Sequence, residues 1–209
     1  MSTIQRLTDS CLVVTTDHGA TMLDPGFHTF GSGKIDLETI GDIQRVLVTH
    51  EHGDHVSPEF VRWLIDRGDD LRVHSNQAVA DLLAKHDIEV VVDDPPGVSS
   101  ENVLLEMTPL GTTPPNRAFT IEGVLTHPGD SYQPTESAPV LALPLLIPWG
   151  STFQSMEFAR RLAPQQVISI HDFYLSSAGR EWISAMATNV LAKSDIEIVA
   201  LDWGDSYTV

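Results

Sequence analysis

Between residues 49 and 55 the chain reads Thr49-His50-Glu51-His52-Gly53-Asp54-His55, and this run restricts the fold more than any other stretch. Arg45-Val46-Leu47-Val48, immediately before it, has the apolar, β-branched pattern of a buried strand. Strand side chains alternate between faces, so His50 and His52 point the same way. Gly53 permits a sharp turn, and Asp54 and His55 then come from the turn itself. Ser57-Pro58-Glu59 opens a helix at once: Ser57 caps it, Pro58 suits the first helical position and Glu59 complements the dipole. Three imidazoles and a carboxylate are thus tied to one strand end. Such donors form a site for Zn²⁺ or a similar divalent cation.

The remaining chain supports a layered α/β fold. Strands are expected at Ile4–Leu7, Cys11–Thr15 and Ala20–Leu23, with a turn at Asp17-His18-Gly19. Leu23-Asp24-Pro25-Gly26 stops the third strand, and residues from Phe27 to Lys34 read as a loop with two glycines. The helix after Ser57 carries Val61, Leu64 and Ile65 on one face and can end at Gly68. A strand at Leu71–His74 leads to a helix capped by Asn76. Ile88–Val92, Val103–Met107, Ala118–Ile121 and Val124–Leu125 form a β section, followed by a strand at Val140–Leu146. Met156–Ala163 reads as a helix stopped by Pro164, and Val167–Ile170 as a strand that delivers His171. A long helix over Ala178–Ala192 and a strand at Ile196–Leu201 close the pattern. Strands first, then helix and strand in alternation, suit two packed sheets with helices outside. His74 and His86 read as structural or surface residues.

Composition narrows the function. The 209 residues are 42% hydrophobic, which suits one domain over residues 1–209 with a full core. No run of eighteen apolar residues exists to span a membrane, and Met1–Arg6 lacks an apolar signal core. Cys11, the only cysteine, lies in an apolar strand where packing is its role, and a cytoplasmic location is the simplest expectation. The net charge of -17 repels phosphate backbones, so no nucleic-acid partner is expected. A small-molecule substrate is expected instead, and a homo-oligomer is compatible with this sequence.

Three further motifs occur in order along the chain: Leu23-Asp24-Pro25-Gly26, Thr126-His127-Pro128-Gly129-Asp130-Ser131 and Ile168-Ser169-Ile170-His171-Asp172. Together with the His-x-His-x-Asp-His run, they make the chain resemble the metallo-β-lactamase superfamily over most of its length. It is most similar to the short, compact branch that includes ascorbate-phosphate lactonase-like proteins. The resemblance implies a four-layer αββα sandwich with two metals at one sheet edge. It implies that His50 and His52 bind the first metal, that Asp54, His55 and His171 bind the second, and that Asp130 bridges them. Asp24 would orient a ligand histidine. Zinc is the expected metal, as one ion or two.

The chain departs from the family in one place. The further histidine that usually completes the first site is absent between His86 and His127, and Gly111 or a neighbour occupies its position. His127 is the nearest stand-in and His28 a more distant one, although orienting or packing roles suit both better. If the second site acts alone, four protein ligands crowd a tetrahedral zinc, and Mn²⁺ or Fe²⁺ fits better. Loops at Phe27–Phe30, Thr112–Asn116, Trp149–Phe153 and Phe173–Tyr174 are candidates to line a pocket; Arg117 beside them could meet an anionic substrate group, although a surface role suits it better.

The implied chemistry is hydrolysis of a small ester, lactone, amide or phosphoester by metal-activated hydroxide, with Asp54 and Asp130 as catalytic carboxylates. The alternative is a catalytically degenerate metal-binding or scaffold protein that keeps the fold.

Overall fold

Short apolar runs separated by turn residues pair into two sheets, because no single run is long enough to bury itself. The computed structural model describes residues 1–68, 70–106, 113–147 and 150–209. The first sheet is built from β1 (Thr3–Arg6), β2 (Leu12–Thr16), β3 (Gly19–Leu23), β4 (Arg45–Leu47), β5 (Arg72–His74), β6 (Val90–Val91) and β13 (Ser206–Thr208), in the spatial order β13-β1-β2-β3-β4-β5-β6. The second contains β7 (Val98–Leu104), β8 (Pro115–Ile121), β9 (Leu125–His127), β10 (Val140–Pro144), β11 (Gln166–Ile170) and β12 (Glu197–Ile198), in the order β12-β11-β10-β9-β8-β7.

Alternation along the strands sorts side chains into three apolar layers. Leu12, Val14, Leu23 and Leu47 of the first sheet meet Phe119, Ile121, Ala142 and Ile168 of the second between the sheets. Val13, Met22 and Val46 point the other way, onto α2 (Pro58–Arg67) and α3 (Gln77–Ala84). Leu141, Leu143 and Val167 pack on α4 (Thr152–Leu162) and α5 (Ser177–Leu191). The result is the αββα sandwich. Side chains the size of Leu47 or Phe119, buried completely, each stabilise it by about 1.5–3 kcal/mol.

Strand direction places the functional edge. β2 is antiparallel to both β1 and β3, so β1 and β3 end at the same rim. β4 runs parallel to β3, and β9, β10 and β11 are mutually parallel. Among the described residues no helix is long and apolar enough to cross a membrane.

Several elements differ from the sequence expectation. Residues Phe27–Gly31 form a short helix, α1, instead of a loop, because Phe27 N–H donates to the distant Gly53 carbonyl and holds the turn. The strand expected at Val103–Met107 begins at Val98; seven-residue pairing with β8 overrides the polar Ser99-Ser100-Glu101 run, and residue 107 lies outside the described residues. The helix expected at Met156 begins at Thr152, where Ser151 Oγ caps Gln154 N–H. Strand structure near the end is confined to Glu197–Ile198, and the polar segment Ser206–Thr208 adds an unexpected edge strand to β1.

Candidate metal centre

Every expected donor leaves a strand end at one rim. Asp24 follows β3, the Thr49–His55 turn follows β4, Asp130 follows β9 and His171 follows β11. Close backbone approaches fix these turns. A Cβ at Gly26 would stand 1.7 Å from the Asp54 carbonyl oxygen, so only glycine lets β3 pass the metal-binding turn. Gly129 has φ +61°, and a Cβ there would stand 2.2 Å from Asn116 Oδ1 and 2.8 Å from Thr49 Oγ1. Asn116 itself donates to the Pro128 carbonyl at 2.9 Å and steadies the turn that carries Asp130.

The structure brings the donors together. Asp130 Oδ1 lies 3.2 Å from His55 Nε2 and 3.1 Å from His171 Nε2. His55 Nε2 and His171 Nε2 are 3.4 Å apart, and Asp54 Oδ2 is 3.6 Å from His171 Nε2. On the other side of Asp130, Oδ2 is 4.0 Å from His50 Nε2, which is 3.1 Å from His52 Nδ1. Two donor groups have mutually close ligand atoms: His50 with His55 and Asp130, and Asp54 with His55 and His171. His50, His55, Asp130 and His171 are buried, whereas Asp54 and His52 are partly open.

Behind the donors a hydrogen-bond network fixes ring orientation. Asp24, with φ +47°, accepts from Thr49 N–H at 2.7 Å, from Thr49 Oγ1–H at 2.8 Å and from His55 Nδ1–H at 2.7 Å. The Thr49 hydroxyl thereby spends its proton on Asp24 and can accept from His50 Nδ1–H at 3.0 Å. Both imidazoles therefore turn Nε2 toward the Asp130 side, the arrangement a cation needs.

Charge follows from this burial. Burial favours neutral His171, but the Asp130 charge and hydrogen bonding override it and lift the pKa from 6.5 to about 9. His55 is likewise pulled down by burial and raised well above its ordinary value by Asp130 and then Asp24. Burial raises the Asp130 carboxyl, yet the charges of His171 and His55 win and hold it well below the ordinary range. His50 goes the opposite way: burial and the His55 charge hold it well below 6.5.

The remaining histidines do other work. His127 is buried with both nitrogens engaged, Nε2–H donating to the Ser10 carbonyl at 2.8 Å and Nδ1 accepting from Gly129 N–H at 3.2 Å. It ties the β1–β2 turn to the Asp130 turn. His28 stacks on Phe173 at 3.9 Å and touches Tyr174 Oη at 3.0 Å through Nε2. His74 is buried with Nδ1 2.9 Å from the Asp93 carbonyl, and His86 is exposed. Gly111, Thr112 and Trp149 lie outside the described residues.

Arg117 corrects an expectation. It is 8% exposed and not a surface residue. Its guanidinium donates to the Ser75 and Val92 carbonyls and Ser100 Oγ and pairs with Asp94 at 3.1 Å, so it ties the two sheets together. Asp9 was missed. It follows β1 at the same rim, is 1% exposed, and its carbonyl accepts from His171 N–H at 3.2 Å. Burial raises its carboxyl pKa against the opposing charges of His171 and His55. Strand parity would have found it, since a β1-β2-β3 meander must end β1 beside Asp24.

The donor set fits a divalent cation. Ligands bound at the ~2.0–2.1 Å typical of zinc stand about 3.3 Å apart on a tetrahedron, and the group around Asp130 Oδ1 is spaced 3.1–3.6 Å. That oxygen is buried and faces both imidazole nitrogens, so it is placed for a cation.

Comparison with known proteins agrees. The sequence pattern described as the metallo-beta-lactamase superfamily matches residues 5–58, from β1 through the His-x-His-x-Asp-His turn. Protein Rv0786c from Mycobacterium tuberculosis is 25% identical, over 82% of this chain and 84% of that protein. Igni18, a metallo hydrolase from the archaeon Ignicoccus hospitalis, superposes with a TM-score of 0.74 at 15% identity, covering 99% of this chain and 97% of Igni18. CmlA, a diiron β-hydroxylase from Streptomyces venezuelae, superposes with a TM-score of 0.69 at 14% identity, over 100% of this chain and 54% of CmlA. None of these is named as a member of the ascorbate-phosphate lactonase-like branch. The matched segment, the four layers and the order of donors along the strands agree with one another: over residues 5–58 and in its fold, the chain is similar to the metallo-β-lactamase superfamily.

Proposed function

We propose that this protein is a metal-dependent hydrolase that cleaves a small ester, lactone, amide or phosphoester. One observation carries the reading: the buried Asp130 carboxylate lies between two donor groups, with Oδ1 toward His55 and His171 and Oδ2 toward His50. A divalent cation bound there lowers the pKa of water toward neutrality and supplies Lewis acidity to the substrate.

The chain's own residues set the rest. His50, His52 and Asp130 would hold one cation, and Asp54, His55, Asp130 and His171 a second. Asp24 and Thr49 keep the His55 and His50 rings turned inward. Asp130 accepts a hydrogen bond from the attacking water and orients its lone pair toward the substrate. Asp54, on the open side, can take up the proton that leaves. Cys11 is buried and its thiol is pushed far up by burial, so no cysteine nucleophile competes.

Zinc suits the imidazole-rich donors. The four donors of the second group also suit Mn²⁺ or Fe²⁺, which accept more ligands than tetrahedral zinc, and the structural neighbour CmlA is itself described as a diiron enzyme. The reading includes a small-molecule substrate and a cytoplasmic setting, and the -17 charge argues against nucleic acid.

The test is elemental analysis of the purified protein, then a panel of generic esters, lactones, amides and phosphodiesters. Bound divalent metal with turnover that His50→Ala removes supports the hydrolase. Full metal occupancy without such turnover supports the degenerate binding protein, a reading favoured by the two-imidazole first group.

A further inference from the structure

A recess of about 200 Å³ adjoins the donors, lined by Leu146, His171, Asp172, Tyr174 and Leu175. Its walls are apolar apart from the His171 edge, Asp172 and the Tyr174 hydroxyl. Asp172 is already engaged, paired with Arg6 at 2.6 Å. Among the described residues no lysine or arginine lines this recess. The two buried arginines of the sandwich are committed elsewhere: Arg6 to Asp172 and the Leu201 carbonyl, and Arg117 to Asp94 and three neighbouring oxygens. A polyanionic substrate would meet no countercharge from the described residues here.

Tyr174 is 70% exposed, yet its hydroxyl is held. His28, 5% exposed and stacked on Phe173, places Nε2 3.0 Å from Tyr174 Oη. Asp9 Oδ2 lies 3.9 Å from the same nitrogen and accepts no hydrogen bond from the protein. A carboxylate oxygen facing Nε2 favours the tautomer with its proton there. His28 therefore donates to Tyr174, and the phenol keeps its own hydrogen for a partner in the recess. Partial burial, and then the nearby Asp54 and Asp9 charges, raise the pKa of that phenol and keep it protonated.

Building on the hydrolase reading, we propose that the recess takes an uncharged carboxylic ester, open-chain or cyclic, with its apolar arm against Leu146 and Leu175 and an ester oxygen accepting from the Tyr174 hydroxyl. Tyr174 is then a substrate-binding residue and His28 a positioning residue that acts through it. An apolar arm of three or four carbons fills a space of this size, and each methylene it buries there favours binding.

The metal-loaded protein is assayed with 4-nitrophenyl butyrate, 4-nitrophenyl acetate and bis(4-nitrophenyl) phosphate. The expected order in kcat/KM is butyrate above acetate, with the phosphodiester at least about a hundredfold below butyrate. Tyr174→Phe should lower kcat/KM for butyrate about tenfold at unchanged metal content, the loss expected for one hydrogen bond. His28→Phe keeps the ring stack and should show a similar loss, whereas His28→Gln keeps a donor and should recover most of the activity. Preference for the phosphodiester, or a Tyr174→Phe variant equal to wild type, overturns the substrate assignment and leaves the hydrolase standing. Metal-loaded protein that turns over none of the three, nor any lactone or amide of the wider panel, overturns both, whereas turnover of an amide alone overturns only the ester assignment.

Discussion

The two halves of the donor cluster are built to different tolerances. Around Asp130 Oδ1, the nitrogens of His55 and His171 and the Asp54 oxygen stand 3.1–3.6 Å from a neighbouring donor. Around Oδ2, His50 is 4.0 Å away, and His52 reaches the cluster through His50. The tight half draws on three strand ends in two sheets, whereas the loose half draws its imidazoles from one turn. The ring orientations differ as well: Asp24 holds His55 Nδ1 with a charged 2.7 Å hydrogen bond, whereas His50 Nδ1 is held by the neutral Thr49 hydroxyl at 3.0 Å. Long-range convergence thus yields the better-organised cation site, because its donors are fixed by three separate buried strands and not by one turn.

The comparison breaks most visibly if the tight half is not the essential one. Removing a tight-half donor should cost more than removing a loose-half donor. His171→Ala should lower kcat/KM on the order of a thousandfold and remove about one equivalent of bound metal, since it deletes a donor and leaves Asp130 partly uncompensated. His52→Ala should cost only roughly ten- to a hundredfold, because its partly open position allows water to replace it. Metal content by elemental analysis beside steady-state kinetics on the same preparations reads both effects. Equal losses, or the reverse order, would show that the spacing does not measure which half works.

Acidity separates the halves next. The ordinary histidine pKa is 6.5, and His171 in the metal-free protein is at about 9. Its raised pKa favours the metal-free fold fully below 6.5, and that contribution disappears as pH rises through 9. A cation must displace that proton, so binding in the tight half should strengthen about tenfold per pH unit between pH 6.5 and 9 for each proton released. His50 is held below 6.5 and is already neutral at pH 7, so the loose half should bind with little pH dependence above 6.5. Isothermal titrations with Zn²⁺ in buffers of different ionisation enthalpy count the protons. Melting curves with chelator should show the metal-free protein losing stability from pH 6.5 to 9, while the loaded protein does not. A flat proton count across that window removes the claimed difference between His171 and His50.

Legibility in the sequence divided along the same line. The Thr49–His55 donors are contiguous, and the strand and helix cap beside them are strong local signals, so one half of the cluster could be read directly. Asp130 and His171 are isolated residues; spacing alone left them ordinary, and the order of motifs singled them out. The sandwich was legible because alternating apolar residues sort into three cores. What escaped depends on contacts remote in sequence. Asp9 becomes part of the rim only when β1 and β3 are seen to run the same way. Arg117 reads as a pocket or surface cation until the Ser75 and Val92 carbonyls, just past the ends of β5 and β6, are seen to accept from its guanidinium. α1 forms because Gly53 accepts from Phe27, a contact no local propensity encodes.

His127 gives the smallest and sharpest test of the loose half. By sequence it was the nearest imidazole available to complete that half, but in the structure both of its nitrogens are spent, on the Ser10 carbonyl and on Gly129 N–H. Burial also lowers its pKa, which keeps the ring neutral and suits one donor and one acceptor nitrogen. His127→Gln can reproduce one of these bonds at a time, so the protein should lose about 1–2 kcal/mol of stability while keeping its metal stoichiometry. Rotating the ring toward the donors would strand the buried Ser10 carbonyl, and His127 would then have to leave the β1–β2 turn it anchors. Chemical denaturation and metal analysis of the one variant decide the matter. A drop in bound metal without a drop in stability would make His127 a ligand, and the loose half would then have the imidazole it lacks among the described residues.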